Sequence, residues 1–511
     1  MNILYRNNSV GLLITFFLVF SFSGCGHSNG NWSEIVVPTS LVSPAYFVSP
    51  GGSDTNSGAI TAPWRTLTHA VAQLKAGDTL YARAGSYAET VWVGNSGTAS
   101  SRIMISAYPG ESPIIDGSTL NISNWKSLLE IVGSYVTVSG FEIGNINTDG
   151  HGGQGGTSTI LGGYGISITG TNDTVSNMLV HNTWAQGIIA TGNNSIIQDS
   201  TIYYVAMSNC RTSGQTNCNG ATLYPSGGWP SCVSVAQNYG SGLTISNATI
   251  QRNTVHDCWG EGVSTWLSNG TIIQDNVTYN NWAQNLYVNN ATNALVQRNL
   301  VYNTANNYVG EARGLTLADE ITTTTGINPT SSNNTVINNL LYNAPLCAFC
   351  WTQQAGTGLK NVLIANNTIF YNFTSSNTGY TNALTAGSIA SGLNTTNSNS
   401  YIINNIVTGA VYVPSATGLT FSNNLWAVTP PANASGTYDV IGSPLLSENG
   451  STTAGQLSSS FFSLQSGSPA ISKGTSLTSI TTSLSLSPIT TDFTGSTSMK
   501  TPPNIGAFQS P

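Results

Sequence analysis

Charge is what this sequence has least of. Asp, Glu, Lys and Arg together make up 6% of its 511 residues, against roughly a quarter in ordinary soluble chains. Thirteen basic residues at a net charge of -7 leave no cationic stripe for a nucleic-acid backbone, so that class of partner is excluded. Lysine is missing altogether between Lys126 and Lys360. The apolar run Val10–Phe20 is too short to span a bilayer. Disorder does not follow from the low charge, because 40% of the residues are hydrophobic. The polar remainder is Gly, Ser, Thr and Asn, the composition of dense turns between short strands.

What is present is a repeat. QRNTVHDCWGEGV begins at residue 251, QDNVTYNNWAQNL at 274 and QRNLVYNTANNYV at 297, a spacing of 23, with looser copies from 176, 198, 337 and 365. A sustained period of this length marks a solenoid. Each repeat has room for three short strands rich in Val, Ile and Thr. We therefore expect an all-β, right-handed parallel β-helix with an N-terminal capping helix. Thr249–Gln251 and Thr254–His256 would flank Asn253, and Asn276, Asn299, Asn339, Asn367, Asn405 and Asn424 occupy its position in other copies. Asparagine tolerates the left-handed backbone of a sharp turn, and coils stacked about 4.8 Å apart let successive amides bond along the axis. Trp64–Ala76 carries apolar Leu67, Ala70, Val71 and Leu74 at helical spacing between Pro63 and Gly77, which reads as the cap. Arg252, Asp275 and Arg298 share one outward column and read as a salt-bridge ladder. His256 and Asp257 are neighbours on a strand and would form a pair only if a turn begins between them.

The segment YFVSPGGSDTNSGAITAPWRTLTHAVAQLKAGDTLYARAGSYAET, Tyr46 to Thr90, resembles the opening of bacterial β-helix proteins of the pectate-lyase superfamily, and Asp492-Phe-Thr-Gly and Ile505-Gly-Ala-Phe508 resemble their ending. The superfamily holds lyases, hydrolases, epimerases and proteins without known activity, so the likeness implies a fold more than a reaction. Phe22-Ser-Gly-Cys25, after Arg6 and the apolar run, resembles a lipobox with Phe where Leu is usual, which implies lipidation of Cys25; the competing reading is an ordinary cleaved signal peptide. The expected organisation is a signal of lipoprotein type over 1–25, a linker over 26–45, the capped β-helix over 46–430 and a C-terminal extension over 431–511 that packs on it. The expected location is the cell surface or outside the cell, with a membrane contact only through the lipid and with a monomeric chain. Six cysteines besides Cys25 suit an oxidising compartment. Cys210 with Cys218 and Cys347 with Cys350 are local pairs, leaving Cys232 with Cys258; a metal or redox role for Cys347-Ala-Phe-Cys350 is the alternative.

The resemblance implies a cleft along one sheet, here Ile166–Thr169, Ile188–Thr191, Val233–Ala236, Val263–Trp266, Leu286–Asn289 and Leu315–Ala318. Alternation sends Val263, Leu286 and Leu315 inward and Ser264, Trp266, Tyr287 and Thr316 outward. The preceding turn aligns Trp184, Trp259 and Trp282 in one column and Gln186, Glu261 and Gln284 in another. Rings that stack on sugar faces beside amides that bond hydroxyls suit a glycan, although the tryptophans could equally serve to cover the turn. An insertion from Ala206 to Ser231 would bring Trp229 to the same rim if Cys232 bonds Cys258.

Glu261 is the sole carboxylate of its column, and Glu311, Arg313, Asp319 and Glu320 fall close by in a chain with 20 acidic residues. A glycoside hydrolase needs a protonated carboxylic acid and an ionised partner, which Glu261 with Glu311, Asp319 or Glu320 could supply, Arg313 orienting a carboxylate or holding a substrate charge. A lyase needs a base and a cation, calcium or arginine, against the uronate carboxyl. The aspartate cluster with a Lys or Arg of calcium-dependent pectate lyases, the Asp-Asp pair of polygalacturonases and the Asp-Pro-His-Asp of alginate epimerases do not occur. The sequence thus leads to a surface or secreted protein that degrades a polysaccharide as lyase or hydrolase, against a noncatalytic glycan-binding or adhesin-like β-helix.

Overall fold

The computed structural model describes residues 45–120, 122, 126–146, 163–206, 230–237, 244–304, 312–320, 331–353, 357–372, 382–386, 396–497 and 500–509. The expected signal and Cys25, the insertion with Cys210, Cys218 and Trp229, and Glu311 lie outside them. Short strands rich in β-branched residues alternate with tight turns, and each strand pairs in parallel with its counterpart in the next coil. Three long parallel sheets result, of 13, 11 and 13 strands among the described residues, each taking every third strand or so along the chain. A parallel neighbour in the same sheet can be reached only by going round, so the backbone winds as a helix of strands. Inward Val, Ile and Leu from all three sheets fill the single long core, each buried side chain contributing about 1.5–3 kcal/mol.

Thr249–Gln251 and Thr254–His256 are strands of the first and third sheets. Between them runs an unbroken amide ladder inside the corner. Nδ2 of Asn253, Asn276, Asn299, Asn339, Asn367 and Asn405 donates to Oδ1 of the next rung at 3.0–3.1 Å, ending on Asn424. The same nitrogens reach a strand carbonyl of the preceding coil, so these buried amides are satisfied. The left-handed backbone expected at these asparagines falls instead one residue earlier, at Arg252, Asp275, Arg298, Asn338, Asn366, Asn404 and Asn423. The inward amide needs ordinary backbone to reach along the axis, and the outward residue before it takes the turn.

That outward column also revises the charge ladder. Arg252 bonds Asp199 at 2.6 Å and Arg298 bonds Asp275 at 2.7 Å, giving two separate pairs, each looking one coil back. Further along, its asparagines hold the C-terminal region: Asn338, Asn404 and Asn423 donate to the carbonyls of Thr491, Thr475 and Lys473. Phe461 and Phe462 pack there with Tyr302, Tyr342 and Phe370. At the other end the helix is shorter than its apolar pattern, Leu67–Gln73. Its first amides are met by the Glu89 carboxylate and its last carbonyls by Asn95, and Leu67, Ala70 and Val71 are buried. His256 and Asp257 do pair, at 2.7 Å, because Asp257 opens a turn with φ 52°. His256 lies between Tyr203 and Tyr279 in a stack on the third sheet.

Candidate active site

The second sheet carries the site, and its register decides which side chains meet. Val263 pairs with Leu286 and Leu286 with Leu315, all fully buried in the core. Ser264, Tyr287 and Thr316 form the next column and Trp266, Asn289 and Ala318 the one beyond. Three residues before the middle column, Ser231 pairs with Glu261 and Gln284 with Arg313. The register carries these four along one line, Ser231, Glu261, Gln284, Arg313, continued by Cys347. The strand bends between this line and the middle column, so residues three apart both face outward. Oγ of Ser231 lies 2.9 Å from a Glu261 carboxylate oxygen and 2.7 Å from Oγ of Ser264. Tyr287 is the centre of this grid.

Glu320, just past the strand Arg313–Asp319, closes over it. The Tyr287 hydroxyl donates to Oε1 of Glu320 at 2.5 Å and Nδ2 of Asn289 to Oε2 at 2.9 Å. The Glu320 backbone is anchored on Asn290, whose carboxamide accepts from its N–H and donates to its carbonyl. Glu261 is 7% exposed. Burial, with the Glu320 charge adding to it, pushes its carboxyl up to about 8, against the hydroxyls of Ser231 and Ser264. At neutral pH Glu261 therefore holds its proton. Burial and the charges of Glu320 and Glu261 raise the Tyr287 phenol well above its usual range, with Arg313 opposing. One carboxylic acid, one carboxylate, one neutral phenol and one guanidinium thus act on one another across three coils.

Asp319 is buried and accepts from Asn290 at 2.8 Å, a contact that positions the segment carrying Glu320. Trp259 and Trp282 pack with Ala206 and Ala283 in a small apolar cluster, and Trp184 is buried in the main core. Trp266 and Gln186 are partly exposed, the former two residues beyond Ser264. Cys232 and Cys258 are bonded, as are Cys347 and Cys350. The latter pair bridges two neighbouring columns next to Arg313 and Thr316. Ser231 and Asn289 were not singled out from the sequence. Asn289 follows Tyr287 at the next outward position, so alternation contained it, whereas the insertion before Ser231 hid its register.

Residues 46–222 match the family model of the Pel9A-like right handed beta helix region, and residues 164–355 that of the right handed beta helix region. Over 91 residues the chain is 41% identical to pectate lyase PEL9 of Emericella nidulans, a stretch covering 17% of this chain and 22% of that protein. Over 103 residues it is 35% identical to the uncharacterized protein YwoF of Bacillus subtilis, covering 20% and 22%. The crystal structure of pectate lyase Pel9A superposes with a TM-score of 0.52 at 14% identity, over 92% of this chain and 96% of that one. The chain folds as a right-handed parallel β-helix, and residues 46–355 match right handed beta helix family models. The matched stretches span about a fifth of the length of these two curated relatives.

Among the described residues, no group of three or more His, Cys, Asp or Glu side chains is placed to hold a metal. Glu320 is bonded to Tyr287 and Asn289 and Glu261 to Ser231. No helix among the described residues is long and apolar enough to cross a membrane.

Proposed function

We propose that this protein cleaves a polysaccharide by hydrolysis, outside the cell, with Glu261 as general acid and Glu320 as its ionised partner. The observation that carries this is the unequal pair of carboxyls: Glu261 buried and holding a proton near neutral pH, Glu320 held by a phenol and an amide. Hydrolysis of a glycosidic bond needs one carboxyl to protonate the leaving oxygen and another to activate water or attack the sugar carbon. Burial keeps the acid protonated, and unlike environments assign the two roles. Arg313, in the Glu261 column, opposes the rise of the Tyr287 phenol.

Elimination from a uronate is less well supported, since it needs a base of moderate strength beside a cation-bound carboxyl. The phenol of Tyr287 is raised far out of that range, and Glu261 is occupied by its proton. The two disulfides and the lipobox-like Cys25 support an oxidising, surface location. A panel of polysaccharides incubated with the full chain tests the reading. New reducing ends without unsaturated product support hydrolysis; unsaturated product contradicts it, and retention on a polymer without any turnover favours a binding protein.

A further inference from the structure

Three polar atoms around Tyr287 have no use in the acid and base chemistry. Oε1 of Gln284, Oδ1 of Asn289 and Oγ1 of Thr316 are buried without a hydrogen-bond partner, in residues that are 7%, 3% and 0% exposed. Gln284 stands between Glu261 and Arg313, Asn289 two residues beyond Tyr287, and Thr316 beside Tyr287 in the next coil. Buried polar atoms are nearly always partnered, so three around one phenol imply partners that arrive with a ligand. The amide orientation of Asn289 is fixed, because its Nδ2 serves the Glu320 carboxylate and its oxygen must face the other way.

We propose that this site is built for an uncharged, hydroxyl-bearing sugar ring and discriminates against uronates. The inference rests on the glycan-cleaving reading above and names its substrate class. Two of the three unpartnered atoms are amide carbonyl oxygens, which need donors. A sugar hydroxyl or hydroxymethyl group supplies a donor; an ionised carboxylate cannot, and it would face those oxygens as a second acceptor. The charge balance acts in the same direction. The Glu320 carboxylate lies against Tyr287 and Asn289, so an added carboxylate beside them meets like charge. The sequence offers no lysine within the coils that form the site.

The test compares polymers that differ only in this group: polygalacturonate and alginate, each against its carboxyl-reduced form, with xylan and mannan as further neutral chains. Turnover and binding, by affinity electrophoresis, are both measured. The proposal predicts at least a tenfold preference for neutral polymers, lost tenfold or more in Gln284→Leu and restored in Gln284→Glu, which keeps an acceptor; the thermal midpoint of each variant checks folding. Reducing ends released equally or preferentially from the acidic polymers overturn this inference and leave hydrolysis standing. Binding of neutral chains with no turnover leaves the inference standing and overturns the catalytic reading. Unsaturated product from an acidic polymer, or no engagement of any polymer, overturns both.

Discussion

The Tyr287 hydroxyl donates a 2.5 Å hydrogen bond to Oε1 of Glu320, joining a residue of one coil to the end of a strand in the next. If Glu320 acts as the ionised carboxyl, this bond and that from Asn289 hold its charge and aim. Tyr287→Phe is expected to lower kcat by about 10- to 100-fold with a smaller change in KM, while Glu320→Gln and Glu261→Gln lower it by roughly a thousandfold or more, in keeping with the usual contribution of acid–base groups. Steady-state kinetics on the substrate found by the panel, with circular dichroism to verify folding, check this.

The pH profile follows from Glu261. Its carboxyl must be protonated to act as acid and is raised to about 8, so kcat/KM should hold through neutrality and fall as pH rises through that value. A profile that falls from pH 5 upward would assign the proton to another group.

Asp173 offers a stability test away from the site. It is fully buried, with one carboxylate oxygen accepting from Val136 N–H and the other unpartnered, and burial pushes it up to about 7. The folded state therefore binds a proton that the unfolded chain releases at its ordinary value of 3.8. Stability from this group is complete below that value and is lost as pH rises through about 7. Asp173→Asn should flatten the decline, with a benefit at pH 8 on the order of 2–4 kcal/mol, read as a higher thermal midpoint that vanishes at pH 4.

The amide ladder and the outward ion pairs predict unequal sensitivities. Asn299 is fully buried and bonded on both sides, so Asn299→Ala orphans its neighbours and should cost about 2–4 kcal/mol. Arg252, whose side chain is 46% exposed, pairs with Asp199 in water, and Arg252→Ala should cost about 0–1 kcal/mol. Denaturant midpoints of the two variants compare them.

The coil register was readable because it is written as identity at a fixed spacing, and the inward placement of Val263, Leu286 and Leu315 followed from it. What spacing does not encode is conformation within a turn. Asn253 and Arg252 are adjacent, and only the backbone shows that the arginine is left-handed and the asparagine straight. The site was partly legible for the same reason: Glu261, Gln284 and Tyr287 fall on repeat positions. The bend that brings Glu261 beside Ser264, and the closure of Glu320 on Tyr287, depend on how a strand ends, which periodicity does not describe. The tryptophans stood out in the sequence by size, yet Trp259 and Trp282 pack on alanines.

The most direct measurement is to follow, on one active polysaccharide, reducing-end release and unsaturated-product absorbance together for the unmodified protein and Glu261→Gln. The account predicts reducing ends without absorbance, lost in the variant. Absorbance in the unmodified protein, or undiminished release from folded Glu261→Gln, contradicts it.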